Sequence, residues 1–167
     1  MTALSSRYNY NLTNPLDLIE KLVTANDWPF ERSSSNEMNV SIEGSWTRYH
    51  LWFAWIYERE ALQFSCAFDF RVPDEKIQPT HSLLAEINEK LWLGHFDLWA
   101  DVGMLMFRHS QLFAGGTGAT LEQINTLVDT SIEECERIYP AVHFMLWGGK
   151  SPKDAIAAAM LETKGKA

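Results

Sequence analysis

Residues Leu83–Phe113 read LLAEINEKLWLGHFDLWADVGMLMFRHSQLF, and three signals follow one another within them. Leu83, Leu84, Ile87 and Leu91 recur at helical spacing behind a Pro79-Thr-His-Ser start, so an amphipathic helix is predicted. Gly94 stops it. From His95 the apolar residues alternate at period two, and Val102-Gly103 marks a reversal between strands at 95–101 and 104–113. A two-residue turn there sets Leu98 opposite Phe107, Ala100 opposite Leu105 and Phe96 opposite His109. Helix and then hairpin, rather than strand–helix alternation, points to an α+β chain.

Upstream, Asn14-Pro15 is a helix cap followed by proline at the first helical position. Leu18, Ile19, Leu22 and Val23 carry the stripe of that helix to about Asn26. Trp28-Pro-Phe-Glu-Arg is extended, confined by Pro29 to a sheet edge, and Ser33-Ser-Ser-Asn is a turn. Met38, Val40 and Ile42 then alternate with polar residues. Gly44-Ser45 suits a two-residue type II′ turn, which pairs Glu43 with Trp46, Val40 with Tyr49 and Met38 with Leu51. The strand from Trp46 to Tyr57 meets 60–72 across Glu58-Arg59, setting Trp55 opposite Leu62, Phe53 opposite Phe64, Leu51 opposite Cys66 and Tyr49 opposite Phe68. Both turns place the apolar residues on one face.

Downstream, Gly115-Gly-Thr-Gly leads into Thr120-Leu-Glu-Gln123, a capping box. Leu121, Ile124, Val128, Cys135, Ile138, Val142 and Met145 continue a long helix that Pro140 should kink or break. Gly148-Gly149 ends it, and Ser151-Pro-Lys-Asp caps an alanine-rich helix. The expected fold is α+β, with an antiparallel sheet (a three-strand meander plus a hairpin) packed against helices. With no internal repeat or linker, the reading is one domain over 14–167 behind a flexible arm at 1–13.

Hydrophobic residues form 46% of the chain and aromatics 13%, the composition of a folded domain. A net charge of −8 argues against nucleic acid or an anionic membrane as the main partner. No apolar run is long enough for a membrane span, and no basic-then-apolar leader is visible, so the expectation is cytoplasmic. Cys66 and Cys135 lack any Cys-x-x-Cys or His spacing and read as reduced core thiols, a disulfide between them being the rarer case.

The same registers define the other sheet face. Arg48 falls opposite Asp69, Trp46 opposite Arg71, Trp52 opposite Ser65, His50 opposite Ala67, Asp97 opposite Arg108 and Trp99 opposite Met106. A solvated face is mostly small and charged, whereas Trp, Met and Arg are what interface cores enrich. Trp46, Arg48, Trp52, Trp99, Met106 and Arg108 are therefore the candidate partner-binding residues. The competing reading is that the chain's own helices cover them, or that the tryptophans lie flat over arginine stems.

Gly115, Gly116, Thr117 and Gly118 before a capped helix resemble an anion cradle, but no lysine follows as in a phosphate-binding loop, and a plain strand-to-helix turn is the simpler account. His95 and Asp97 share a face and could do general-base work, yet Asp97 is committed to Arg108 and no nucleophile completes a triad. His50 and His109 lack ligand spacing, so no metal or cofactor is expected. Phe144 and Trp147 either continue the core stripe or face a second subunit, with core preferred.

Leu-Trp-Leu-Gly-His-Phe-Asp-Leu-Trp at 91–99, Phe-Arg-His at 107–109, Glu-Arg-Ile-Tyr-Pro at 136–140 and Leu-Trp-Gly-Gly-Lys-Ser-Pro at 146–152 resemble the YbjN family of bacterial sensory-transduction regulators. The resemblance runs from Pro15 to Gly165 and is densest after 83. It implies a type III secretion chaperone-like fold, whose chaperones are small acidic cytoplasmic homodimers that hold a polypeptide on apolar surface. It carries over no catalytic residue. The longer C-terminal helical region and the Trp-rich outer face depart from that chaperone pattern. The sequence thus points to a non-enzymatic chaperone-like or regulatory protein-binding module, expected to be a homodimer. A small-molecule or anion sensor using the Gly115–Thr120 loop is the alternative.

Overall fold

The computed structural model describes residues 13–115 and 118–164. The arm expected at 1–13 thus lies almost wholly outside the described residues. Helix α1 (Pro15–Ala25) is followed by strands β1 (Phe30–Ser34), β2 (Glu37–Glu43), β3 (Arg48–Ile56) and β4 (Ala61–Arg71). Helix α2 (Ile77–Asn88), strands β5 (His95–Trp99) and β6 (Met104–Leu112), and helices α3 (Leu121–Leu146) and α4 (Pro152–Lys164) complete the order. The strands form one antiparallel sheet in the order β1-β2-β3-β4-β6-β5. The fold is α+β, as the sequence predicts. The pairing of β4 with β6 joins the meander and the hairpin into one surface, and this decides what the outer face looks like.

Each helix start has a local cause. The Asn14 side chain accepts the Leu16 N–H at 2.9 Å and Pro15 needs no partner. At α3 the predicted capping box is present: Thr120 Oγ1 accepts from Gln123 N at 3.1 Å, and the Gln123 side chain accepts from Thr120 N at 2.9 Å. Ser151 caps α4 by accepting the Asp154 N–H at 3.2 Å. Helix α2 starts two residues before Pro79 and stops at Asn88, short of Gly94. The reason is that the Asn88 side chain leaves the helix to bond the backbone of Phe96, accepting its N–H at 2.7 Å and donating to its carbonyl at 2.9 Å.

Pro140 neither ends nor divides α3, contrary to the sequence expectation. Proline removes one helical hydrogen bond. Cys135 and Ile138 before it, and Ala141, Val142 and Met145 after it, are all buried in the same core, so tertiary packing holds the helix across the gap. Leu121, counted in the stripe, is exposed at the first turn.

The β3–β4 register is as derived, with Trp55↔Leu62, Phe53↔Phe64, Leu51↔Cys66 and Tyr49↔Phe68. The other two hairpins are each displaced by two residues. In the first, Glu43 pairs with Arg48, Val40 with Leu51 and Met38 with Phe53, because the loop is Gly44–Thr47 rather than Gly44-Ser45. Three contacts favour the longer loop: Gly44 N–H bonds Thr47 O at 2.9 Å, Ser45 N–H bonds Glu136 Oε1 at 2.8 Å, and Trp46 stacks on Tyr139 of α3 at 5.7 Å. In the second, Phe96 pairs with Phe107, Leu98 with Leu105 and Trp99 with Met104, leaving Ala100–Gly103 as the loop. Val102 in a two-residue turn would need a positive φ that β-branched residues avoid. Only Gly103 adopts one (φ 63°), and its carbonyl takes the Val72 N–H at 2.8 Å. The Ser33-Ser34 pair belongs to β1, and the turn falls on Ser35-Asn36.

A displacement of two keeps the side chains that remain in the strands on their predicted faces. Met38, Val40, Tyr49, Leu51, Phe53, Phe64, Cys66, Phe96, Leu98, Leu105 and Phe107 therefore form one buried cluster with Leu16, Ile19, Leu83, Ile124, Val142 and Ala155 from the four helices. Arg32 ties β1 to α1 through Asp17 at 2.9 Å and Glu20 at 2.7 Å.

Candidate functional site

The opposite face of the sheet carries a trough of about 650 Å³ whose lining contains no helical residue. Its floor is small because β4 presents Ser65 and Ala67, flanked by Trp52 on β3 and Met106 on β6. Trp99 and Val102 close one end beside Met104 and Arg71. Two large indoles over a floor with little side chain make the hollow.

Of the six predicted partner-binding residues, four are brought together. Trp52 is half-buried and Trp99 is 49% exposed. Met106, opposite Ala67 and Asp97 instead of Trp99, is only 2% exposed, so it is floor rather than contact surface. Arg108, opposite Ser65 and His95, reaches Asp97 diagonally at 2.8 Å, and its guanidinium lies 5.7 Å from the Trp99 ring centre. That places the cation over the indole face.

The other two are corrected. The Arg48 side chain pairs with Glu43 across the β2–β3 hairpin while Asp69 is turned to His50, and Arg48 lies outside the trough lining. Trp46 is in the Gly44–Thr47 loop and packs on α3, so it does not oppose Arg71. Register explains both: the two-residue displacement in the β2–β3 hairpin brings Glu43 opposite Arg48 and moves Trp46 off the strand.

Four features escaped sequence reading. His50 Nε2 meets Asp69 Oδ1 at 3.0 Å on the rim of the trough, a diagonal pairing that strand twist creates. Arg71 donates to Val102 O at 2.9 Å and forms no ion pair among the described residues. Beneath the sheet, Cys66 and Cys135 meet at an Sγ–Sγ distance of 3.7 Å, both fully buried. Burial, then the neighbouring Cys66 thiol, pushes the Cys135 thiol well above its ordinary range. Beside them Tyr49 is buried with a hydroxyl that has no hydrogen-bond partner among the described residues. Its pKa is raised by burial first and by the Glu136 carboxylate second.

The remaining candidates are already occupied by local structure. Asp97 accepts from Arg108 and from Leu98 N at 2.9 Å, so neither carboxylate oxygen is turned to His95. At the glycine loop, Gly116 and Thr117 lie outside the described residues. The Gly115 N–H is taken by Glu60 Oε2 at 3.2 Å, and the Thr120 and Gln123 N–H groups by their reciprocal cap. An anion at the Gly115 N–H would have to displace that carboxylate. Phe144 packs against the core, while Trp147 is half-exposed and meets Phe70 edge-on at 5.2 Å. His109 lies within 3.4 Å of the Gln111 side chain, and no cluster of three potential metal ligands occurs among the described residues. No helix among them is long and apolar enough to cross a membrane.

A six-stranded antiparallel sheet with its helices on one side and an aromatic hollow on the other defines an α+β protein with one open face. The chain belongs to the YbjN family, described as "Putative bacterial sensory transduction regulator", whose profile matches residues 15–144. Among solved structures, it is similar to "Crystal structure of YbjN, a putative transcription regulator from E. coli", with a TM-score of 0.54 and 18% identity over 77% of this chain and 91% of that one. At that identity the likeness speaks for the fold. A comparison with curated protein sequences returns no match.

Proposed function

We propose that this chain is a non-enzymatic regulatory binding protein that holds a polypeptide partner, or a second copy of itself, on the helix-free face of its sheet. The observation that carries this reading is the trough walled by Trp52 and Trp99 with Met106 as its floor. Exposed aromatic hollows are rare on surfaces that stay solvated, and tryptophan in a desolvatable pocket is the commonest interface hot spot. Membership of a family of regulators and the acidic, chaperone-like character of the chain support it, and a cytoplasmic setting suits both. Trp52→Ala combined with Trp99→Ala tests it. The variant keeps the far-ultraviolet circular dichroism of the parent, and loses either the dimer in light scattering or the proteins captured from source-cell extract. A monomeric parent, together with a variant that captures every partner the parent does, rules the reading out.

A further inference from the structure

The trough has a chemical bias that polypeptide binding alone does not require. Its apolar body is built from Trp52, Trp99, Ala67 and Met106, and one cation, Arg71, stands at its end. Arg71 spends one hydrogen bond on the Val102 carbonyl and has no carboxylate within ion-pair distance among the described residues. The other two arginines of this face are neutralised, Arg48 by Glu43 and Arg108 by Asp97. The one carboxylate of the lining, Asp69, is turned to His50 at 3.0 Å. A guanidinium offers five N–H donors in a planar fork, a geometry suited to a carboxylate. The hollow, about 650 Å³, lies within the range of pockets that hold small ligands.

We propose that this trough binds a small amphipathic carboxylate, its apolar body between the two indoles and its carboxylate on Arg71. The site goes beyond the partner-binding reading and stands without it, since it needs only this chain. The overall charge of −8 opposes an anion at long range, but that field is screened beyond about 8 Å at physiological salt, whereas the Arg71 contact is direct. A ligand there covers Trp52 and Trp99, and so competes with anything else that uses the face.

Isothermal titration of the whole chain at physiological salt tests the proposal. The probes are indole-3-acetate and octanoate, each compared with its own amide. The carboxylates bind at one site, about tenfold more tightly than the amides, as one charge-assisted hydrogen-bond pair requires. Arg71→Gln removes that difference. Ala67→Leu, which fills the floor, abolishes binding, and Ser65→Leu serves where Ala67→Leu fails to fold. Equal affinity for acid and amide overturns the proposal, as does an unchanged preference in Arg71→Gln. Absence of saturable binding by both carboxylates to millimolar concentration overturns it too, as does full binding by a folded floor-filled variant. None of these results touches partner capture, so the two readings fail separately.

Discussion

Tyr49→Phe should make the protein more stable, although it deletes a buried polar group from the centre of the core. The Tyr49 ring is fully buried, edge-on to Phe68 at 5.5 Å, and its hydroxyl meets no hydrogen-bond partner among the described residues. The nearby Glu136 carboxylate has Oε1 engaged by Ser45 N–H. Folding thus strips water from this hydroxyl and leaves it beside the Glu136 carboxylate without a well-formed hydrogen bond, at a cost of about 1–3 kcal/mol. Removing the oxygen leaves a void of roughly 15–20 Å³, which costs about 0.4 kcal/mol at ~24 cal/mol per Å³. The expected balance is a gain of about 0.5–2.5 kcal/mol. For a chain of this length that is a rise in Tm of about 1–10 °C. Differential scanning calorimetry with urea titration measures it, and an unchanged m-value shows that stability alone has moved. A loss above about 0.5 kcal/mol refutes the reasoning. It would mean that the hydroxyl donates to Glu136 or to an internal water, and a double-mutant cycle with Glu136→Gln separates those two cases.

Further outcomes follow from neighbouring contacts. Asn88→Ala removes both bonds to Phe96, with an expected loss of about 1–3 kcal/mol; it also bares the β5 edge, so aggregation on heating should increase in turbidity measurements. Gly44→Ala should destabilise by about 1–3 kcal/mol in urea titration, since its Cβ would overlap the Tyr49 ring and the Glu136 carboxylate. Iodoacetamide should label Cys66 and Cys135 slowly in the native protein and rapidly in denaturant, because both are buried and the Cys135 thiol is held protonated; mass spectrometry showing fast native labelling would contradict that packing.

The faces of the sheet were legible because strand side chains alternate, and any displacement by an even number of residues leaves them in place. That is why Phe96, Leu98, Leu105 and Phe107 reached the core although their partners were misassigned. Partners depend on loop length, and loop length here depends on distant groups. Glu136 and Tyr139 of α3 hold the Gly44–Thr47 loop, which took Trp46 away from its expected neighbours and brought Glu43 opposite Arg48. The β3–β4 register was read correctly, its strands being long and its turn local. The Cys66–Cys135 contact spans 69 residues between a strand and a helix, and the rotation of α3 about its axis is not written in local spacing. His50–Asp69 needed strand twist, and the free charge of Arg71 needed the β4–β6 pairing with its bulge between Ala67 and Arg71.

The helix-free face is the surface proposed to meet other molecules. Hydroxyl-radical footprinting, read tryptophan by tryptophan in the mass spectrometer, compares the purified dilute chain with the same chain in source-cell extract. Trp99 is 49% exposed inside the trough and Trp92 is 73% exposed away from its lining, so each serves as the other's control. The account predicts that oxidation of Trp99 falls severalfold in extract while Trp92 is oxidised as before. Protection of Trp92 with Trp99 left open would contradict it.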